Sequence, residues 1–239
     1  MKTKVPLKLA FLAILLGFSI QAFSNSKKTN IMDDTKKEEI GLLVIMKAKP
    51  GKEEALKSFL FGGLDLVNQE PLTLSWYAFQ IDANTFGIYD TFEVEAGRQA
   101  HLKGEVAAAL LANAGELLEN FDASTAVQTV NIIASNHKKG AQNNGLLVIM
   151  KAKKGKSKDV ENFLSAGMQL VGDEPNTLSW YAIKMDESTY AIFDTFASNE
   201  GRDAHLTGKV AAALLQNAPV LLNNFETSAI QKIDILASK

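Results

Sequence analysis

Apolar and polar positions along the chain fall into two rhythms that alternate and then start again. Leu42 to Ala48 is a continuous apolar run bounded by Gly41 and by Pro50-Gly51, which reads as a strand covered on both faces. From Glu53 to Asn68, the residues Leu56, Phe59, Leu60, Gly63, Leu64 and Val67 share one stripe of an amphipathic helix. Thr73 to Ile81 and Thr85 to Phe92 are strand-like and flank Asp82-Ala83-Asn84, whose residues suit a hairpin turn. With an even-length loop Tyr77 opposes Asp90 and Ser75 opposes Phe92, on the face of Phe79 and Ile88; Trp76, Ala78, Tyr89 and Thr91 then take the other face. Glu95 to Asn113 predicts a second helix rich in small residues, followed by a short helical piece ending near Phe121, and Ala126 to Ala134 predicts a last strand. The order β-α-β-β-α-β is a ferredoxin-like split unit with both helices on one side of an antiparallel sheet.

The same rhythm then returns. GLLVIMKAK stands at Gly41 to Lys49 and again at Gly145 to Lys153, a spacing of 104 residues. Trp76 recurs as Trp180, Asp90 as Asp194, Arg98 as Arg202 and His101 as His205. The chain therefore holds two copies of one unit, residues 41–135 and 145–239, joined by a polar connector at 136–144. Each copy is small and each sheet has a bare face, with Trp76 and Tyr89 expected on one and Trp180 and Phe193 on the other. The predicted fold is α+β, two tandem ferredoxin-like units packed sheet to sheet as an intramolecular pseudo-dimer, which leaves room for further oligomerisation.

The N-terminus changes the picture of where this unit works. Lys2, Lys4 and Lys8 precede an apolar run from Leu9 to Ile20 and the small-residue end Gln21-Ala22-Phe23-Ser24, the pattern of a signal peptide over residues 1–24. The mature chain is then expected to be exported, periplasmic or secreted, with no stable membrane anchor after cleavage. Residues 25–40 are polar and charged without an apolar period and predict a flexible linker. There are no cysteines, so disulfide and thiolate chemistry are excluded. A net charge of −2 without a basic stripe argues against nucleic acid as a partner.

Within the two units the candidate chemistry is sparse. His101 and His205, each in an Ala-His-Leu triplet near a helix start, are the one histidine per copy and suit proton transfer near neutrality, or else cap and pack locally. Asp90 and Asp194 sit in apolar strands, where a carboxylate needs a partner. The expected cross-strand neighbours Tyr77 and Tyr181 would supply one, as a structural hydrogen bond or as an acid/base pair. Trp76 and Trp180 would stack on a planar substrate or fill a core. Arg98 and Arg202, one helical turn before the histidines, could hold an anionic oxygen or pair with a surface carboxylate. No glycine-rich phosphate loop, HExxH or GxSxG motif occurs.

The run EPLTLSWYAFQIDANTFGIYDTFEVEAGRQAHLKGEVAAALL and its second version EPNTLSWYAIKMDESTYAIFDTFASNEGRDAHLTGKVAAALL resemble the antibiotic biosynthesis monooxygenase (ABM) domain, of the quinol monooxygenase type within the dimeric α/β-barrel superfamily. That resemblance covers both units. It implies paired sheets forming a barrel and a cofactor-independent monooxygenase that oxidises a quinol-like or polyphenolic molecule with O2, without metal or flavin. It also admits a non-enzymatic small-aromatic binding or stress-associated barrel, or a barrel filled by its own side chains. Haem-degrading relatives place an iron-ligating histidine in the region corresponding to Val106 to Leu111, where this chain has none.

Overall fold

The computed structural model describes residues 37–239, which belong to one compact unit; the expected signal peptide at 1–24 and residues 25–36 of the expected linker lie outside the described residues. The first repeat runs β1 (Ile40–Lys47), α1 (Glu53–Val67), β2 (Ser75–Gln80), β3 (Thr85–Phe92), α2 (Glu95–Leu102), α3 (Glu105–Leu117), a short α4 (Ala123–Ala126) and β4 (Val127–His137). The second runs β5 (Asn144–Lys151), α5 (Ser157–Gly172), β6 (Thr177–Lys184), β7 (Thr189–Phe196), α6 (Asn199–Leu206), α7 (Lys209–Leu221), a 3-10 turn and β8 (Ile230–Ser238). Each is the expected split unit, with the predicted second helix broken in two. Among the described residues no helix is long and apolar enough to cross a membrane.

The eight strands close into one antiparallel barrel in the order β1-β3-β2-β8-β5-β7-β6-β4. This goes further than two stacked sheets. The last strand of each repeat pairs with its own first strand and also with the second strand of the other repeat, β4 on β6 and β8 on β2. No sheet edge is left unpaired, which removes the liability of open edges. It also explains the corrected connector: β4 continues through Asn136 and His137, which pair with Trp180 and Ser179, and β5 starts at Asn144.

Strand β1 is apolar on both faces because both are buried. Val44 and Met46 pack under α1 and α3, while Leu43 faces the barrel interior beside Tyr77, Phe79 and Tyr89. Helix α1 buries Leu56, Leu60 and Val67, the stripe its periodicity predicts. The turn into α1 holds Gly51 at φ 78, and its counterpart Gly155 at φ 77; glycine is kept in both repeats there because a side chain would strain that backbone, whereas Pro50 is replaced by Lys154.

The hairpin register corrects the sequence reading. Trp76 pairs with Asp90, Tyr77 with Tyr89 and Ser75 with Thr91. The loop is odd: three residues, Asp82 to Asn84, lie between Ile81 and Thr85, and the Asp82 carboxylate accepts from the backbone N–H groups of Asn84 and Thr85. A one-residue slip sends every side chain to the opposite face. Trp76 and Asp90 therefore lie under the helices, and Tyr77 lies inside the barrel with Tyr89.

Candidate functional site

Two copies of one site sit where the loop after the first helix of each repeat meets the broken second helix. Glu70 follows α1 in the loop leading to β2, and Thr73 Oγ1 donates to its Oε2 at 2.7 Å. His101, in the last turn of α2, is buried, with Nδ1 2.6 Å from Glu70 Oε2 and Nε2 2.8 Å from Asp90 Oδ2. In the second repeat His205 lies 2.6 Å from Glu174 and 3.2 Å from Asp194. Each imidazole thus bridges two carboxylates, one fully buried in a strand and one near the surface.

The helix break belongs to this arrangement. Gly104 stands at the N-terminus of α3, and a Cβ there would lie 2.7 Å from Glu70 Oε1; at Gly208 the distance to Glu174 Oε1 is 2.9 Å. Only glycine lets the carboxylate sit against the start of the next helix, where the helix dipole favours negative charge. Burial raises the Glu174 carboxyl, but His205, Thr177 and the backbone N–H of Val210 outweigh it and hold the group below its ordinary value. Both loops are also held from the other repeat. Lys239 Nζ donates to the carbonyls of Val67 at 2.8 Å and Glu70 at 2.6 Å, and Lys138 Nζ donates to those of Val171 and Glu174.

Burial works against a charge on His101, yet the hydrogen bonds and charges of Asp90 and Glu70 outweigh it and raise the imidazole to about 9. His205 is raised to about 10 against the same burial by Asp194 and Glu174. Burial raises the carboxyls of Asp90 and Asp194, with the imidazoles pulling the other way. At neutral pH the histidine is therefore an imidazolium, contrary to the expectation of a group titrating near neutrality, and the carboxylate inside the strand is the better proton acceptor.

Cavities flank this chain of groups. His101 and Glu70 line an open mouth of about 480 Å³, and His205 and Glu174 line one of about 270 Å³. Behind His101, a cavity of about 90 Å³ touches Asp90, Ile88, Val106 and Leu110. Ile88, Val106 and Leu110 also line a larger apolar cavity of about 280 Å³ between α1 and α3, floored by Trp76. The corresponding cavity over Trp180 measures about 80 Å³. The Nε1 atoms of Trp76 and Trp180 are buried without a protein acceptor.

The structure therefore brings His101 and Asp90 together, and His205 and Asp194, and places Trp76 and Trp180 at neighbouring cavities. It separates Tyr77 and Tyr181 from the aspartates. The two phenols meet inside the barrel, 3.2 Å apart, and Tyr77 also bonds Ser179 at 3.0 Å. Arg98 pairs with Glu95 at the surface, and Arg202 donates to the Ile233 carbonyl and to Asn199; neither lines a cavity described above. The residues missed are Glu70 and Glu174, whose signal was their retention in a Glu-Pro loop in both copies.

A second missed group lies at one end of the barrel. Glu38, expected in a flexible linker, is buried: its carboxylate accepts from Ser75, Thr91 and Tyr181 and pairs with His137 at 2.5 Å. Residues 37–40 thus belong to the barrel, because the carboxylate satisfies hydroxyls that the interior would otherwise orphan. Its counterpart is Gln142, which accepts from Ser179 and Thr195. Among the described residues no cluster of three or more His, Asp or Glu side chains has the arrangement of a metal site.

No protein-family model and no curated protein matches the chain. Solved structures do. A candidate monooxygenase from Fusobacterium nucleatum superposes with a TM-score of 0.72 at 13% identity, over 84% of this chain and 94% of its own. One from Lactobacillus acidophilus gives 0.70 at 11% identity, over 84% and 96%. An anthrone oxidase-like protein gives 0.55 at 9% identity, over 85% and 93%. Each match spans both repeats, and the chain accordingly has the ferredoxin-derived α/β-barrel fold of these structures, the fold that the resemblance of its two units implied.

Proposed function

We propose that the protein is an exported monooxygenase that needs no added cofactor and oxidises a quinol-like or polyphenolic small molecule with O2. The observation that carries this reading is the buried carboxylate–imidazolium–carboxylate chain, whose inner end, Asp90, borders a small cavity that shares Ile88, Val106 and Leu110 with the larger apolar cavity over Trp76. Asp90 takes a proton from the substrate, and the His101 imidazolium holds the resulting charge while Glu70 balances it on the solvent side. The substrate anion reduces O2 and a C–O bond forms, the proton returns to give the hydroperoxide, and its O–O bond then breaks together with the remaining C–H bond of the same carbon. One oxygen atom ends in a carbonyl and the other in water. A dry pocket favours this course because it protects the anion from bulk proton exchange. The fold shared with candidate monooxygenases and with an anthrone oxidase-like protein supports the reaction class.

The test is O2 uptake by the purified protein against a panel of quinols and anthrones, with no metal or flavin added. Asp90→Asn with Asp194→Asn is expected to lower turnover by about 10²–10⁴-fold, the range for loss of a positioned base. Unchanged turnover would remove the aspartates from the mechanism. A second reading, sequestration of small aromatics without turnover, is favoured by the larger cavity, where the Ser58 hydroxyl and the Trp76 indole N–H are the polar side-chain groups. Saturable binding without O2 uptake would establish it in place of catalysis.

A further inference from the structure

Although the repeats share the carboxylate–histidine chain, the space beside it is not shared. The cavity over Trp76 holds about 280 Å³ and its counterpart over Trp180 about 80 Å³. The first approaches the lower end of ligand-pocket volumes, about 300 Å³; the second is room for two or three waters at about 30 Å³ each. The mouths differ in the same sense, about 480 against 270 Å³.

One residue on the pocket-facing wall of the helix differs in a telling way. Helix α1 carries Gly62-Gly63, and α5 carries Ala166-Gly167. Gly63 and Gly167 are both crowded, since a Cβ would lie 3.2 and 3.3 Å from the tryptophan rings beneath. Gly62 is not: a Cβ there would meet nothing within 4 Å. A glycine inside a helix is less favourable than alanine, and at Gly62 no close packing offsets that cost. Gly62 is exposed, so what the missing methyl leaves is a wider rim at the mouth of the cavity.

We infer that the chain holds one ligand, in the first repeat only, with Gly62 keeping the pocket open and the second repeat acting as the barrel's structural half. This rests on the reading of the helix–sheet cavity as the substrate pocket. The occupant its lining fits is a planar, uncharged molecule of two or three fused rings carrying an oxygen, because the walls are apolar and Trp76 Nε1–H is buried with no protein acceptor.

The two tryptophans are the only ones in the chain and mark one cavity each. Menadione is a suitable probe, since the protein has no thiol to add to it. Calorimetric titration of the full protein is expected to give a stoichiometry of one. In Trp180→Phe the fluorescence of Trp76 should quench saturably; in Trp76→Phe the fluorescence of Trp180 should fall only in the linear, collisional manner. Gly62→Ala, which favours the helix and so keeps the fold, should weaken binding at least fivefold in the Trp180→Phe background. Two equivalents with matching saturation at both tryptophans would overturn the inference and leave the pocket reading standing. Unaltered affinity in Gly62→Ala would overturn the role of that residue. Saturation at neither tryptophan would overturn the pocket reading and the inference together.

Discussion

Removing the imidazole of His101 would leave Asp90 and Glu70 facing each other across a buried gap. His101→Ala is therefore expected to destabilise the fold by about 3–5 kcal/mol, the cost of breaking a buried pair from one side. The histidine, expected near a helix start, stands in the last turn of the short α2 and is buried, so it carries structure as well as charge. Urea denaturation of His101→Ala beside Asp90→Asn checks this, and the latter should be milder, since an amide keeps the hydrogen bond without the charge. The same groups set a pH dependence. The imidazoles rise from an ordinary value near 6.5 to about 9 and about 10 in the folded state. Their stabilisation is complete below about pH 6.5 and drains away as pH climbs through 9 and 10. A loss of roughly 2–3 kcal/mol per site between pH 6.5 and 9 is expected, and the Asp90→Asn, Asp194→Asn protein should show a flatter profile. His101 and Asp90 were legible in the sequence because both recur. Their contact was not, because it depends on which face of β3 the aspartate takes.

At the scale of elements, that face was decided by one turn. Asp82 accepts from the backbone N–H groups of Asn84 and Thr85 and makes the loop odd, so the periodicity of both strands was read correctly and their pairing was displaced by one. Strand identity comes from residue types, whereas register comes from a turn whose length the composition left open. The corrected register exposes a compensation between repeats. Phe79 lies opposite Gly87, and Ile183 opposite Ala191; a Cβ on Gly87 would fall 2.2 Å from the Phe79 ring. Large-plus-none in one repeat fills the space of medium-plus-small in the other. Gly87→Ala alone should cost about 1–3 kcal/mol through overpacking. Adding Phe79→Ile should restore most of that loss, as a thermal melt of the single and double variants will show. Additive losses would mean that the two positions do not share one volume.

For the whole molecule, the repeat and the need for a cover were written in the 104-residue spacing and in strands apolar on both sides. The barrel followed from the resemblance of both units to a barrel-forming family, but the exchange of the last strands was not legible, because it involves edges rather than faces. Those seams predict that the covalent link contributes little once the barrel is built. A chain cut between Lys139 and Gly140, in the short segment between β4 and β5, should stay a one-to-one complex in size-exclusion chromatography with light scattering at neutral pH. Separation into monomers would contradict the paired β4–β6 and β8–β2 seams.

The β2–β8 seam has a consequence in time. It joins Tyr77 to Ser238, and Lys239 continues it through backbone hydrogen bonds in both directions with Trp76. Contacts this remote along the chain form slowly, because loop closure must precede any gain from them. Local helices and hairpins should thus be complete while the barrel is still open. The Glu70 loop, fastened by Lys239, would then become ordered among the last parts of the molecule. In a refolding experiment the far-ultraviolet circular dichroism signal should recover first and ligand competence should lag behind it, so that a newly made chain passes through an interval in which it has its secondary structure but cannot yet work.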